Sequence, residues 1–145
     1  MKSPETMPKK SKCEWLERYW IVGPYLCLCL NEKDYKGKLD EIKVSQKYRE
    51  KFTANGADAQ THFYYKDGKS TACVITLLNW KKKSICSIFS LLAHEAMHVF
   101  QDKMKDINES DPGKEFEAYA IQSISLQLFC SFCEQTGRKE LSKGS

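Results

Sequence analysis

The chain has 145 residues, 41% hydrophobic, 12% aromatic and 29% charged, with a net charge of +4. That length and apolar content fit one folded domain with a buried core, and they exclude a wholly disordered chain. The near-balance of charge is not the mark of a nucleic-acid binder, no apolar run reaches the roughly 18–20 residues of a membrane span, and the polar start MKSPETMPKKSK lacks the apolar segment of a secretory signal.

Residues 1–12 are polar and basic and are expected to form a flexible tail, with one domain over 13–137 and a short tail over 138–145. An aromatic segment, Trp15 to Trp20, precedes a break at Gly23-Pro24. Tyr25–Leu30 is a short apolar run and is expected to be a strand buried on both faces. Tyr35 to Phe52 alternates charge with apolar residues at Leu39, Ile42, Tyr48 and Phe52, which predicts a surface helix. Asn55-Gly56 marks a turn. Thr61–Lys66 and Thr71–Trp80 then read as two strands joined at Asp67-Gly68, the dipeptide that tolerates positive φ in a hairpin.

The remainder is expected to be helical. Ser84 can cap a helix running to about Lys105, with apolar residues at helical spacing. Asp111-Pro112 suits an N-cap and first turn for a second helix, which Gly137 would stop after Thr136. The fold class is therefore α+β: a small sheet, about three strands, packed on two long C-terminal helices and one earlier helix.

The seven cysteines, an odd number and mostly inside apolar runs, argue against a disulfide framework. They suit core packing in a reduced, cytoplasmic protein. Cys130-x-x-Cys133 with Cys27-x-Cys29 offers a Cys₄ zinc alternative, but the C-x-C spacing is poor zinc-site grammar.

The informative stretch is His94-Glu95-Ala96-Met97-His98, an H-E-x-x-H motif. Two histidines four apart share a helix face, so their imidazoles can grip one metal ion. Glu95 points about 100° around the axis, which places its carboxylate beside the metal. From there it can take a proton from a metal-activated water and pass it to a leaving amine. The apolar flanks FSLLA and VF predict that the motif sits on the buried side of its helix, where a metal would satisfy both histidines.

One Zn²⁺ needs a third protein ligand. The longer H-E-x-x-H-x-x-G-x-x-H pattern fails, because Gln101 and Met104 stand at its last two fixed positions. The next helix offers Glu115 and Glu117. These lie on different faces, so one of them serves. Glu115 shares a polar stripe with Tyr119 and Gln122, whereas Glu117 aligns with Ile121 and Ile124. That facing argument favours Glu115, with Glu117 as the alternative.

HEAMHVFQ followed by EFEAYAIQ resembles the gluzincin branch of the zincin metallopeptidases. There the third ligand opens an E-x-x-A-[D/N/Y] motif, which maps onto Glu115 through Tyr119. Together with THFY and ACV, these segments also resemble short zincin-like proteins encoded by phages and prophages, over roughly Tyr25 to Thr136. The resemblance implies a minimal zincin-like fold, one zinc ion and, if the chain is phage-encoded, the cytoplasm of a bacterial host. Zincins hold a peptide substrate along the edge strand beside the motif helix. Here that strand is expected to be Thr71–Leu78. Stabilising charge on the scissile carbonyl calls for a further donor, with His62 and Tyr119 as candidates.

These residues predict a zinc-dependent metallopeptidase. The metal ligands are His94, His98 and Glu115, and Glu95 is the general base and then acid. Two other classes are a zinc-stabilised binding protein that acts on a host or defence factor without catalysis, and a nucleic-acid-associated protein using the basic tail.

Overall fold

The computed structural model describes residues 12–16 and 25–138. It contains β1 (Tyr25–Cys29), α1 (Glu32–Glu41), β2 (Ala59–Lys66), β3 (Lys69–Leu77), α2 (Ile85–Asp106) and α3 (Lys114–Thr136). Short 3-10 turns at Gln46–Tyr48 and Trp80–Lys82 link them. The α+β class and the three-stranded sheet on two long C-terminal helices agree with the sequence expectation.

The β2–β3 hairpin forms where Asp67 (φ 54) and Gly68 (φ 77) both take left-handed backbone, the pair of conformations whose twist matches the flanking strands. β3 is the middle strand, parallel to β1 and antiparallel to β2. Alternation divides the side chains between two faces. Leu26, Leu28, Cys73, Ile75 and Leu77 join the core beneath α2 and α3. Cys27, Cys29, Tyr64 and Val74 pack with Tyr35 and Leu39 of α1. Both faces are covered, which is why β1 and β3 read as continuous apolar runs.

Ser84 caps α2 as expected, its Oγ accepting from Ser87 N at 3.1 Å. Antiparallel α3 packs on α2 through ring contacts, Phe89 with Phe129 at 4.7 Å and Phe100 with Phe116 at 6.1 Å. Gly137, at φ 71, ends α3 as expected.

Other boundaries differ from expectation. The helix expected over Tyr35–Phe52 instead starts at Glu32, because Asn31 Oδ1 accepts from Asp34 N at 2.8 Å. It stops at Glu41, and Lys43 turns left-handed at φ 59. Phe52 is buried from the loop and Tyr48 is exposed. β3 ends at Leu77, short of Trp80. α3 begins at Lys114 with Gly113 as N-cap, because Asp111 bends back, its N–H donating to Glu109.

Of the segments expected to be tails, Lys12 and Arg138 alone are among the described residues. The Arg138 guanidinium donates to Lys83 O at 3.2 Å, so the fold reaches at least that far. The aromatic segment beyond Leu16 and the Gly23-Pro24 break lie outside the described residues.

No disulfide links the seven cysteines. Cys13, Cys27, Cys29 and Cys73 are buried as expected, whereas Cys86 and Cys130 are exposed. Burial pushes the Cys73 thiol up to about 12. The Cys₄ alternative is not assembled. Cys27 and Cys29 face α1, while Cys133 packs on the opposite face of the sheet. Among the described residues, no helix is long and apolar enough to cross a membrane.

Candidate metal centre

The H-E-x-x-H motif lies at the middle of α2, where its side of the helix meets β2. His94 Nε2 and His98 Nε2 stand 3.1 Å apart. Without a metal, one of these nitrogens donates its proton to the other. Two nitrogens each about 2.0–2.1 Å from a tetrahedral zinc stand about 3.3 Å apart, so the pair already has the bite of a chelate.

Their burial is the reverse of the expected pattern. The histidines are exposed, and Glu95 is the buried member, at 6%. The reason is rotation about the helix axis. The roughly 100° step turns Glu95 down toward the sheet, along with Leu92 and Val99, while the histidines look out over the β2 edge.

Glu95 is satisfied there by Thr61, whose Oγ1 donates to Glu95 Oε2 at 2.5 Å. A second tie holds the far end of β2 to the same helix, the Tyr65 hydroxyl donating to Asp102 Oδ1 at 2.6 Å. A cavity of about 370 Å³ lies between α2 and β2, lined by the three motif side chains with Thr61, Phe63 and the Ala59-Gln60 pair. Sequence reading missed Thr61. Only the strand periodicity, which sets Thr61, Phe63 and Tyr65 on one face, could have pointed to it.

His62 therefore projects the opposite way. It is fully buried, its Nε2 lies 2.9 Å from Phe52 O and its ring is 5.0 Å from Tyr35. That nitrogen carries a proton and donates to the carbonyl. The candidate donor role for His62 does not hold, because the sheet separates it from the histidine pair. Tyr119 is 67% exposed and does not line the cavity.

The two candidate carboxylates on α3 also separate. Ala120, Ile124, Leu128 and Ser131 form the buried row of the helix. Glu117 extends that row by one turn and is half-buried. Glu115, Tyr119 and Gln122 form an exposed stripe. The facing argument that favoured Glu115 thus turns around, because the apolar stripe of α3 faces inward and carries Glu117 with it. Among the described residues, no three His, Cys, Asp or Glu side chains stand together as a complete metal set.

The strand expected to hold a substrate is also corrected. β3, which contains Thr71–Leu77, is the middle strand and is paired on both sides over Ala72–Thr76, so it is not the edge. Among the described residues β2 is paired on one side only, and it is β2 that borders the cavity. Further along the same edge a groove of about 550 Å³ is lined by Ile42, Val44, Tyr48, Phe63 and Tyr65, with Lys43 and Lys66 beside them.

Comparison with known proteins yields no match, whether against family models, curated protein sequences or solved structures.

Proposed function

We propose that this chain is a zinc-dependent metallopeptidase of gluzincin type. The observation that carries the reading is the His94–His98 nitrogen pair, 3.1 Å apart at the β2 edge, with the Glu95 carboxylate buried beside it. The donor set fits a zinc ion in part. His94 and His98 would hold it, and Glu117 is the carboxylate on the inward row of α3 that would complete the set, with Glu115 as the alternative. A zinc ion there supplies Lewis-acid polarisation of a peptide carbonyl and lowers the pKa of water.

The protein's own groups do the rest. Glu95 takes the proton of the attacking water on one carboxylate oxygen and delivers it to the leaving amine. Thr61 fixes the other oxygen and so aims the carboxylate. An extended peptide would pair with the outer edge of β2, and the apolar groove between Val44 and Tyr65 would receive one of its side chains. A chain whose cysteines carry no disulfide suits a cytoplasmic setting.

The test combines metal analysis with turnover. The wild-type protein should carry about one zinc per chain, and His94→Ala or His98→Ala should lose it. Glu95→Gln should keep the metal and lose cleavage of a casein or peptide-library substrate by at least ~100-fold. Intact cleavage in Glu95→Gln would overturn the mechanism. Capture of a protein partner by wild type and Glu95→Gln alike, with no cleavage by either, would select the non-catalytic binding protein.

A further inference from the structure

Three thiols meet on the α1 face of the sheet, across it from the histidines. Cys27 and Cys29 project from β1 with their sulfurs 4.0 Å apart, and Cys13 Sγ lies 3.6 Å from Cys29 Sγ. All three are buried, with Cys13 the most accessible at 2%. Among the described residues an isolated antiparallel bridge joins Leu16 to Leu26 of β1. Three residues back from Leu16 is Cys13, and three residues on from Leu26 is Cys29. Continued over three residues, that register would set the two opposite each other, in keeping with their 3.6 Å sulfur separation. Opposed residues in an antiparallel pair have Cα atoms about 4.5–5.5 Å apart, inside the usual disulfide range of about 4.4–6.8 Å. Cys27 and Cys29, two apart on one strand, would span about 6.6 Å, at the far end of that range.

We propose that Cys13 and Cys29 are a peroxide-sensitive pair whose disulfide staples the amino-terminal segment to β1. Cys13, as thiolate, attacks one oxygen of hydrogen peroxide. The O–O bond breaks, Cys13 becomes a sulfenic acid, and the departing hydroxide takes up the thiol's proton as water. The Cys29 sulfur then attacks the Cys13 sulfur. The S–S bond forms, the S–O bond breaks, and a second water leaves with the Cys29 proton. Two electrons pass from the two thiols to one peroxide.

The neighbours favour Cys13 as the first to react. Protonated, it donates to Leu28 O at 3.1 Å. Ionised, it accepts from Cys27 and then Cys29, which draw it below the ordinary thiol range. Burial holds Cys27 protonated, and the bond to Cys13 holds Cys29 so. Among the described residues the Leu16–Leu26 bridge ties this segment to β1, and the disulfide would add a covalent tie.

The experiment uses the full chain with Cys86→Ser and Cys130→Ser, which removes the exposed thiols. The protein is treated with hydrogen peroxide, alkylated with N-ethylmaleimide under denaturing conditions and digested with trypsin. Cleavage at Lys12, Arg18 and Lys33 separates the Cys13 peptide from the Cys27–Cys29 peptide. The expected product is those two peptides joined, lighter by two hydrogens than their sum, with Cys27 alkylated. Reductant should dissolve the link, and the oxidised protein should unfold at a Tm several degrees higher. Cys27→Ser should keep the link and Cys29→Ser should lose it. Full alkylation of Cys13 after peroxide, or its linkage to Cys27 in the otherwise wild-type cluster, would overturn the proposal. Peptide mapping of the wild-type cluster decides the question even where Cys29→Ser does not fold.

Discussion

A carboxylate that moves protons must hold one orientation, and in this chain a threonine hydroxyl sets it. Thr61 engages one oxygen of Glu95, and both residues line the cavity. Hydrogen bonds to charged groups contribute about 1.5–3 kcal/mol, so Thr61→Val, which keeps the branched shape and drops the donor, should lower kcat roughly 10- to 100-fold. Its zinc content should stay that of wild type, and its pH–rate profile should shift, a change that loss of packing alone would not bring. The contrast with His94, Glu95 and His98 explains what the sequence can show. Those three are fixed relative to one another by helix geometry alone, so spacing reveals them. The pair Thr61–Glu95 spans 34 positions, and the threonine reads locally as a strand former. His62 next to it is hard to place from sequence for a related reason. Alternation says that neighbours on a strand part company, but it does not say which of them faces the helix.

At the scale of elements, α3 carries the clearest consequence. Its buried row runs through Ala120, Ile124 and Leu128, with half-buried Glu117 one turn before it. If the inward row supplies the third ligand, Glu117→Gln should lower zinc affinity by about 10- to 100-fold or more, as for a lost ligand or its direct support, with Glu115→Gln near wild type. Competition with a chromophoric chelator would read both, and the opposite ranking would restore the exposed stripe. The sequence shows that α3 is a helix, and Gly137 shows where it stops. Which stripe turns inward was not legible, because α3 has apolar residues on nearly every side, such as Leu126, which is exposed. α1 failed in another way. Its apolar spacing continues past Glu41 to Phe52, but Phe52 is drawn into the core by contact with Tyr35 rather than by helical continuation.

Across the whole molecule, the two exposed histidines stand outside the hydrophobic cores. One core fills the space between the sheet and α2–α3, a second fills the α1 side, and neither includes His94 or His98. Treatment with EDTA should therefore abolish cleavage while leaving the far-UV circular dichroism and a cooperative thermal transition in place, unlike small zinc domains that unfold without metal. Loss of the transition on chelation would show that the site is structural. The number of strands was readable from runs and turns, but their order was not. β3 lies in the middle because Tyr25 pairs with Ala72 far along the chain, and no local pattern encodes that pairing.

Among the described residues β2 is paired on one side only, which bears on self-association as well. An unpaired strand edge is a template for any extended chain, including a second copy of the same protein. Two details of β2 blunt that hazard. Its pairing with β3 shifts between Tyr64 and Tyr65, where β3 carries the extra residue Thr71 and the twist increases, and Lys66 sets an exposed charge at its end. The regular stretch Ala59–Tyr64 thus offers a short peptide six residues to pair with, ending beside a charged lysine.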